Sequence, residues 1–170
     1  STAEFNIALG VTALDAITTG DQNIAIGHNA GGAITTVGSV VAIGYEAGKS
    51  ITSDATASGS ILIGNSAGAA LTSGCCNTAV GFQTLQANTT GEYNTAFGYN
   101  TLITLNTSGS DVPSHNTAVG SHAGENHTFG DHGTYVGNSA GNSLTSGNNN
   151  TFVGSLAGEA ITTAADNVAV

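Results

Sequence analysis

The sequence predicts an all-β chain that folds as a parallel β-solenoid, or β-roll, of about nine coils of 17 residues each. Three observations predict this fold. A five-residue unit of the form Asn-x-Ala-x-Gly, the pentad, recurs along the whole chain. The residues inside it alternate as in a strand, and the composition favours thin stacked layers of small side chains. We expect residues 1–170 to form one repetitive domain.

The pentads stay in phase from the first to the last. Most of the glycines that close them are 17 residues apart, and two gaps are longer, at 20 and 22 residues. The closing glycines are Gly10, Gly27, Gly44, Gly64, Gly81, Gly98, Gly120, Gly137 and Gly154. The longer gaps predict insertions at about residues 49–60 and 104–115, both of turn-rich composition. A 17-residue period is too short for the common helical repeats.

Alternation within each pentad predicts a short strand. In residues 77–81, Thr78 and Val80 fall on one face, and Ala79 falls on the other. We expect the apolar fourth position to point into the coil. A second short strand is expected about eight residues later, at an apolar residue usually followed by threonine. These residues are Ile17, Ile34, Ile51, Leu71, Leu144 and Ile161. Coils stacked at ~4.8 Å then form a rod roughly 45 Å long.

The recurring asparagine has a structural explanation, because each coil must present the same shape to the coils above and below it. We expect the first-position asparagines to form an internal ladder whose side-chain amides bond along the axis and satisfy turn backbone. The ladder comprises Asn6, Asn23, Asn77, Asn94, Asn116, Asn150 and Asn167. The pentad glycines provide backbone angles that a side chain would block.

The charge excludes several classes of partner. The formal net charge is −10, and Lys49 is the one basic residue. Nucleic acids and anionic membranes attract Lys and Arg, so we expect no nucleic-acid partner, and anionic membrane surfaces are disfavoured. We also expect no membrane insertion. No apolar run approaches the ~20 residues of a membrane-spanning helix. The sequence begins at Ser1 without an initiator methionine, and we interpret it as a fragment or a processed chain.

The repeats resemble those of known fibre proteins. The units NIAIG, VVAIGYEAG, NTAVGFQTL, NTAFGYNTL, NTAVGSHAG and NTFVGSLAG are similar to the head repeats of trimeric autotransporter adhesins and to repeats of phage tail-fibre-like proteins. This resemblance covers essentially the whole chain. It implies a left-handed β-roll that assembles as a homotrimer. It also implies a non-catalytic protein located outside the cell, on the cell surface or on a virion. The period is longer than that of the adhesin heads.

Trimerisation has a second indication in the third pentad position. If the fourth position points inward, the third faces outward, and a ladder of alanines makes a flat surface for packing against another chain. These alanines are Ala8, Ala25, Ala42, Ala79, Ala96 and Ala118. The alternative is a surface that merely tolerates small residues.

Two groups of side chains are weaker candidates for chemistry. Cys75 and Cys76 are adjacent, which suits free thiols or an interchain disulfide better than a disulfide framework. His115 and His132 both precede a pentad and are weak candidates for a shared metal, with surface residues as the alternative. His127 stands where other coils have Ile or Leu. We expect no metal and no other cofactor, since calcium-roll motifs are also absent.

Catalysis is not expected. Acidic pairs at a defined separation are absent, and the carboxylates occupy different coil positions, which solvation explains. They are Asp15, Asp21, Glu46, Asp54, Glu92, Asp111, Glu125, Asp131, Glu159 and Asp166. Threonine pairs such as Thr18-Thr19 and Thr162-Thr163 raise ice binding as a minor alternative. A few aromatic residues are expected on the outer face, where they would contact sugar or protein or, equally well, pack against neighbouring chains. They are Tyr45, Phe82, Tyr99, Tyr135 and Phe152.

The sequence therefore predicts a structural and adhesive fibre segment, a stiff rod that presents a binding surface. A cell-surface glycan or protein is the expected receptor, and the insertions at 49–60 and 104–115 are the expected contact points. The alternative is a filament subunit that joins end to end, because the pattern leaves open strand edges at both ends of the chain.

Overall fold

The computed structural model describes residues 3–52, 57–106 and 114–170. Its fold is the predicted one, an all-β parallel solenoid of about nine 17-residue coils. Each pentad contributes one short strand. The strands are β1 Ile7–Leu9, β2 Ile24–Ile26, β3 Val41–Ile43, β4 Ile61–Ile63, β5 Thr78–Val80, β6 Thr95–Phe97, β7 Thr117–Val119, β8 Thr134–Val136, β9 Thr151–Val153 and β10 Val168–Ala169. They form one ten-stranded parallel sheet in chain order.

The sheet is in strict register, because equivalent pentad residues pair. Ala25 pairs with Ala8 on one side and with Ala42 on the other. Backbone bonds continue the stacking beyond the strands. The Gly27 N–H donates to the Leu9 carbonyl at 2.8 Å, and the Gly31 N–H donates to the Ala47 carbonyl at 2.9 Å. Each coil thus bonds to the coil before it and to the coil after it.

The predicted second strand is wrong, since the described residues contain one strand per coil. At the expected place, the N–H groups of Thr18, Thr19 and Gly20 all converge on the Thr35 carbonyl, at 2.8, 3.1 and 3.2 Å. A chain that curls around a single acceptor makes a turn, and no ladder can form. The nearest approach to a second strand is an isolated bridge between Phe129 and Ser146.

The third pentad position points into the coil, and the fourth points outward. Ala25, Ala42 and Ala79 are fully buried, whereas Phe97 at a fourth position is 55% exposed. The expectation that the fourth position points inward is therefore wrong. In these coils the interior is largely filled by the buried apolar residue that precedes the threonines, such as Ile34. The space that remains at the third position therefore suits a small residue.

In several coils a large residue at one interior position is paired with a small residue at another. Where the third position is the small Ala79, Leu85 fills the space four residues after the pentad glycine. Where the third position is Leu62, the equivalent site is Gly68, and a Cβ there would lie 2.8 Å from Leu62 Cδ2. Where both sites are small, as at Ala25 and Gly31, Ile34 and Leu14 of the neighbouring coil lie against the glycine, as expected for a close-packed core.

Three corners of each coil have the left-handed backbone conformation, even where the residue is not glycine. In one coil these are Cys76 at φ 60°, Gln83 at φ 54° and Leu85 at φ 49°. Such a conformation costs an L-residue about 1 kcal/mol or more. The bonds between stacked coils offset this cost, so the corners depend on the stacking.

We predict that Gly27→Ala destabilises the chain more than Gly154→Ala does. Both glycines have φ 129°, so the backbone strain, about 1–3 kcal/mol, is shared. At Gly27 the new Cβ would lie 2.5 Å from the Gly44 carbonyl oxygen, whereas at Gly154 its nearest neighbour is 3.8 Å away. Denaturant unfolding of both variants measures the difference. Equal losses of unfolding free energy would show that coil-to-coil approach does not require glycine.

We also predict that Leu62→Ala and Gly68→Leu compensate. Leu62→Ala alone leaves a cavity and costs about 2–5 kcal/mol, and Gly68→Leu alone overpacks the same layer. The double variant recreates the Ala79 and Leu85 arrangement of the neighbouring coil, so its unfolding free energy should exceed that of either single variant. A double-mutant cycle from denaturant unfolding tests this, and strictly additive losses would contradict it.

Candidate assembly surface

One side of the rod carries every exposed large hydrophobic side chain among the described residues. These side chains occupy the second and fourth pentad positions, the position before the pentad and the two positions after it. They are Phe5, Ile7, Leu9, Val11, Tyr45, Ile61, Phe82, Tyr93, Phe97, Tyr99, Val119, Val153, Leu156, Val168 and Val170. We call the outward second and fourth pentad positions the sheet face. It is a continuous flat surface along the rod.

Charged side chains avoid the sheet face throughout the described chain. Most lie two residues before a pentad, as Asp21 and Glu92 do, or in the turn that follows it, as Glu125 does, and Asp166 lies directly before a pentad. Lys49 forms an ion pair with Glu46 at 2.7 Å, and this contact lowers the pKa of Glu46. The rod is therefore amphipathic, with an apolar side and an acidic remainder.

Stacked rings line both edges of the sheet face. On the edge after the pentads, Phe82 and Tyr99 stack with ring centroids 5.2 Å apart. On the edge before the pentads, Tyr93, His115 and His132 form a continuous stack with separations of 5.0 and 5.2 Å. Because each ring covers its neighbour in the next coil, the rings present mainly their edges to a partner.

The alanines expected to pack against another chain lie inside their own coils. Ala25, Ala42, Ala79, Ala96 and Ala118 are fully buried, so that prediction is wrong for them. Ala8, in the first coil, is exposed. The outward residues are the flanking second and fourth positions, which the sequence interpretation placed inside. The sequence contains a signal for this orientation, because five second positions are threonine, whereas the third position is always aliphatic or aromatic.

The pentad asparagines stack inside the coil, and their side chains bond along the axis. Asn94 donates its N–H to Asn77 Oδ1 at 3.0 Å, and Asn116 donates its N–H to Asn94 Oδ1 at 3.0 Å. Asn77 Nδ2 also donates to the Gly91 carbonyl in the corner of its own coil, at 2.7 Å. Likewise, Asn23 donates its N–H to Asn6 Oδ1 at 2.9 Å, and Asn6 Nδ2 donates to the Gly20 carbonyl at 2.8 Å. Asn167 donates its N–H to Asn150 Oδ1 at 3.0 Å. Each amide holds one corner to the next.

Three pentads lack the asparagine, with Val40, Ser60 or Gly133 in its place, and the last of these has a second change. Gly133 replaces asparagine there, and Tyr135 replaces the alanine two residues later. The Tyr135 hydroxyl lies next to Gly133, in the space that an asparagine side chain would fill. It is fully buried without a hydrogen-bond partner, and burial raises the pKa of Tyr135. The bulky ring thus serves packing at the expense of a polar contact.

The two cysteines lie at a coil corner beside an aromatic edge. Cys75 is half-buried and Cys76 is exposed, and both are free thiols. Burial, with a contribution from the neighbouring Cys76, raises the pKa of Cys75 to about 11. The Cys75 thiol is therefore a poor nucleophile at neutral pH. The exposed Cys76 is the better placed of the two for a bond to another chain.

The candidate metal ligands His115 and His132 do lie in adjacent coils, as predicted. Their rings are parallel within 8° and 5.2 Å apart. An ion bound to an imidazole nitrogen lies close to the plane of that ring, so two parallel stacked rings are not oriented to share an ion. No group of three His, Cys, Asp or Glu suited to a metal occurs in the described ranges.

His127 is fully buried at the interior position where other coils have Ile or Leu. Its Nε2 faces the Gly130 carbonyl at 3.3 Å, its ring meets Tyr135 edge-on at 5.4 Å, and its Nδ1 has no partner. Burial lowers the pKa of His127 to about 4, against a smaller opposing effect of Gly130 and Asp131. The ring is therefore neutral at physiological pH.

The remaining candidates divide between surface and interior. Thr18, Thr72, Thr128 and Thr145 donate their hydroxyls to carbonyl oxygens of the next coil, at 2.9 to 3.0 Å. Among the aromatics expected outside, Tyr45, Phe82 and Tyr99 are exposed. Tyr135 and Phe152 are fully buried, so their expected outer position is wrong. Both occupy the inward third pentad position.

Parts of both insertions, residues 53–56 and 107–113, lie outside the described residues, as do Asp54 and Asp111. The described carboxylates lie at separate corners and turns along the rod.

Comparison with protein-family models, curated proteins and solved structures finds no match to this chain. A search of the described residues for a helix long and apolar enough to cross a bilayer also finds none.

We predict that His127→Leu removes an acid-sensitive step in stability. Because the folded-state pKa of about 4 lies below the ordinary 6.5, the unfolded chain binds the proton more tightly. The parent protein should lose on the order of 3 kcal/mol of unfolding free energy as pH falls through this window. His127→Leu should not show this loss. Denaturant unfolding across the pH range measures it, with the exposed His132→Gln as control. Parallel pH profiles for His127→Leu and the parent would contradict the assignment.

Proposed function

We propose that this chain is a non-catalytic structural segment of an extracellular or virion fibre, and that three copies pack through their sheet faces into a stiff rod. The observation that carries the proposal is the confinement of all the described exposed large hydrophobics to one side. Soluble monomers rarely expose so many large apolar side chains along one side, and such a surface is typical of an interaction site.

The dimensions of the sheet face suit such packing. It runs along ten strands, hence over ~45 Å, and three-residue strands make it ~10 Å wide before the edge rows are added. With those rows, it approaches the ~800 Å² that each partner buries in a stable interface. β-Branched Val, Ile and Thr side chains on a regular sheet present few rotamers, so ordering them against a partner costs little entropy.

The number three comes from the resemblance of the pentads to trimeric adhesin heads and tail-fibre-like repeats. A closed threefold arrangement would bury the apolar side of every copy and leave the acidic remainder in water. The absence of charge on the sheet face supports an axis where three identical surfaces meet, because like charges there would repel one another.

A second candidate is a filament in which copies join end to end. In the described chain, β1 and β10 each pair on one side only, and Ile7 and Leu9 of the first coil are 55% and 65% exposed. A second copy could continue the same parallel register across these edges. Ice binding has weaker support, because many hydroxyls of the expected threonine rank already donate to carbonyl oxygens.

We predict that the purified chain has a solution mass of three chains of 16.6 kDa each. Val119→Glu should dissociate it, because Val119 lies on the sheet face and three buried carboxylates would meet near the axis. Analytical ultracentrifugation measures both masses. Ser143→Glu, which adds the same charge in a turn away from the sheet face, is the matched control and should stay trimeric.

A monomeric parent, or a Val119→Glu variant of unchanged mass, would contradict packing through the sheet face. Long filaments in electron micrographs, with an axial repeat near one subunit length, would favour the end-to-end candidate instead.

A further inference from the structure

A cleft of about 350 Å³ opens at the coil corner that precedes the pentads, away from the sheet face. It spans three successive coils near the C-terminal end of the chain. Its lining includes Phe129, Asp131, Asn148 and Thr163, with Gly130 and Gly147 among them. No other part of the proposed assembly uses these side chains.

The floor of the cleft is backbone. Gly130 and Gly147 have φ of 140° and 127°, and a Cβ on Gly130 would lie 2.6 Å from the Gly147 carbonyl oxygen. Side chains are therefore excluded from the floor, and the residues on either side of each glycine become the walls. A ligand can approach the backbone closely here.

One wall carries an aromatic ring that departs from the repeat. At the position of Phe129, the other described coils have threonine or serine, such as Thr90 and Ser146. Phe129 is half-buried, and its backbone is fixed by the bridge to Ser146. The half-buried Phe129 ring can therefore pack against a ligand that has one apolar face.

The lining also carries a carboxylate and an amide held in fixed orientations. Asn148 Oδ1 accepts the Asp131 N–H at 2.9 Å, and Asp131 Oδ1 accepts the Ser114 N–H at 2.8 Å. The described residues give no partner to Asp131 Oδ2 or Asn148 Nδ2. Asp131 Oδ2 is a hydrogen-bond acceptor, and Asn148 Nδ2 in the adjacent coil is a donor. Two neighbouring hydroxyl groups of a ligand could bond to this pair, one donating and the other accepting.

We infer that this cleft binds a neutral saccharide of one or two rings, with its C–H face on Phe129 and adjacent hydroxyls on Asp131 and Asn148. The volume is at the low end of the ~300–1,000 Å³ typical of small-molecule sites. Acidic sugars are disfavoured, because Asp131 lines the cleft and the chain carries a net charge of −10. This inference rests on the proposed function, because it names the class of receptor that the fibre segment binds.

The test uses the full chain and a panel of methyl glycosides: neutral hexosides, N-acetylhexosaminides and a glucuronide. Binding at millimolar concentration is followed by chemical-shift perturbation in NMR spectra. We expect at least one neutral glycoside to bind and the glucuronide not to bind. Phe129→Thr restores the residue type of the other coils, so it should fold normally and weaken binding by about tenfold or more.

Asn148→Asp tests the amide donor. It keeps the Oδ1 acceptor for the Asp131 N–H and removes the donor, so it should also weaken binding about tenfold. Because the new carboxylate lies beside Asp131, thermal unfolding of the same sample measures the accompanying loss of stability separately. Tyr45→Thr removes an exposed ring far from the cleft and should bind like the parent. No binding of any neutral glycoside, or binding that both cleft variants leave intact, would overturn the inference. The mass of the same samples reports on trimerisation separately.

Discussion

The structure depends on backbone hydrogen bonding between successive coils. Every coil donates to the one before it and the one after it, in the strands and also at the turns and corners. Because this pairing is in register, each position must repeat the shape of its equivalents, and the sequence repeats for that reason. The left-handed corners at residues as unlike as Gln83 and Leu85 are unfavourable in isolation. They are acceptable here because the stacked coils determine the path of the chain.

The stacking also decides where apolar side chains can go. A 17-residue coil encloses only a narrow interior, which the buried Ile and Leu residues and the pentad alanines fill. A large residue at the third position needs a glycine opposite it, as Leu62 has in Gly68. The second and fourth pentad positions therefore remain outside, and their apolar character has no use within one chain. The proposed trimer gives this surface a function, and it leaves the charged corners and the saccharide cleft facing water.

Much of the fold could be predicted from the sequence, because the 17-residue period and the pentad are visible without any comparison. Which face of the pentad points inward could not be deduced by the same means. Alternation assigns Thr78 and Val80 to one side and Ala79 to the other, but it does not say which side is the interior. Hydrophobicity favoured the larger Val80, whereas the narrow coil selects the smaller Ala79. The Phe129 cleft was equally hidden, since its floor and walls come from three coils that only the fold brings together.

The central claim is that the apolar sheet faces meet inside an assembly. Electron cryomicroscopy of the purified native particle, at a resolution that shows side chains, tests it most directly. The account predicts three parallel rods whose second and fourth pentad positions, including Phe97 and Val119, face the common axis, with Phe129 and Asp131 at the outer surface. A particle in which the sheet faces point to solvent, or in which the rods meet through their charged corners, would contradict it.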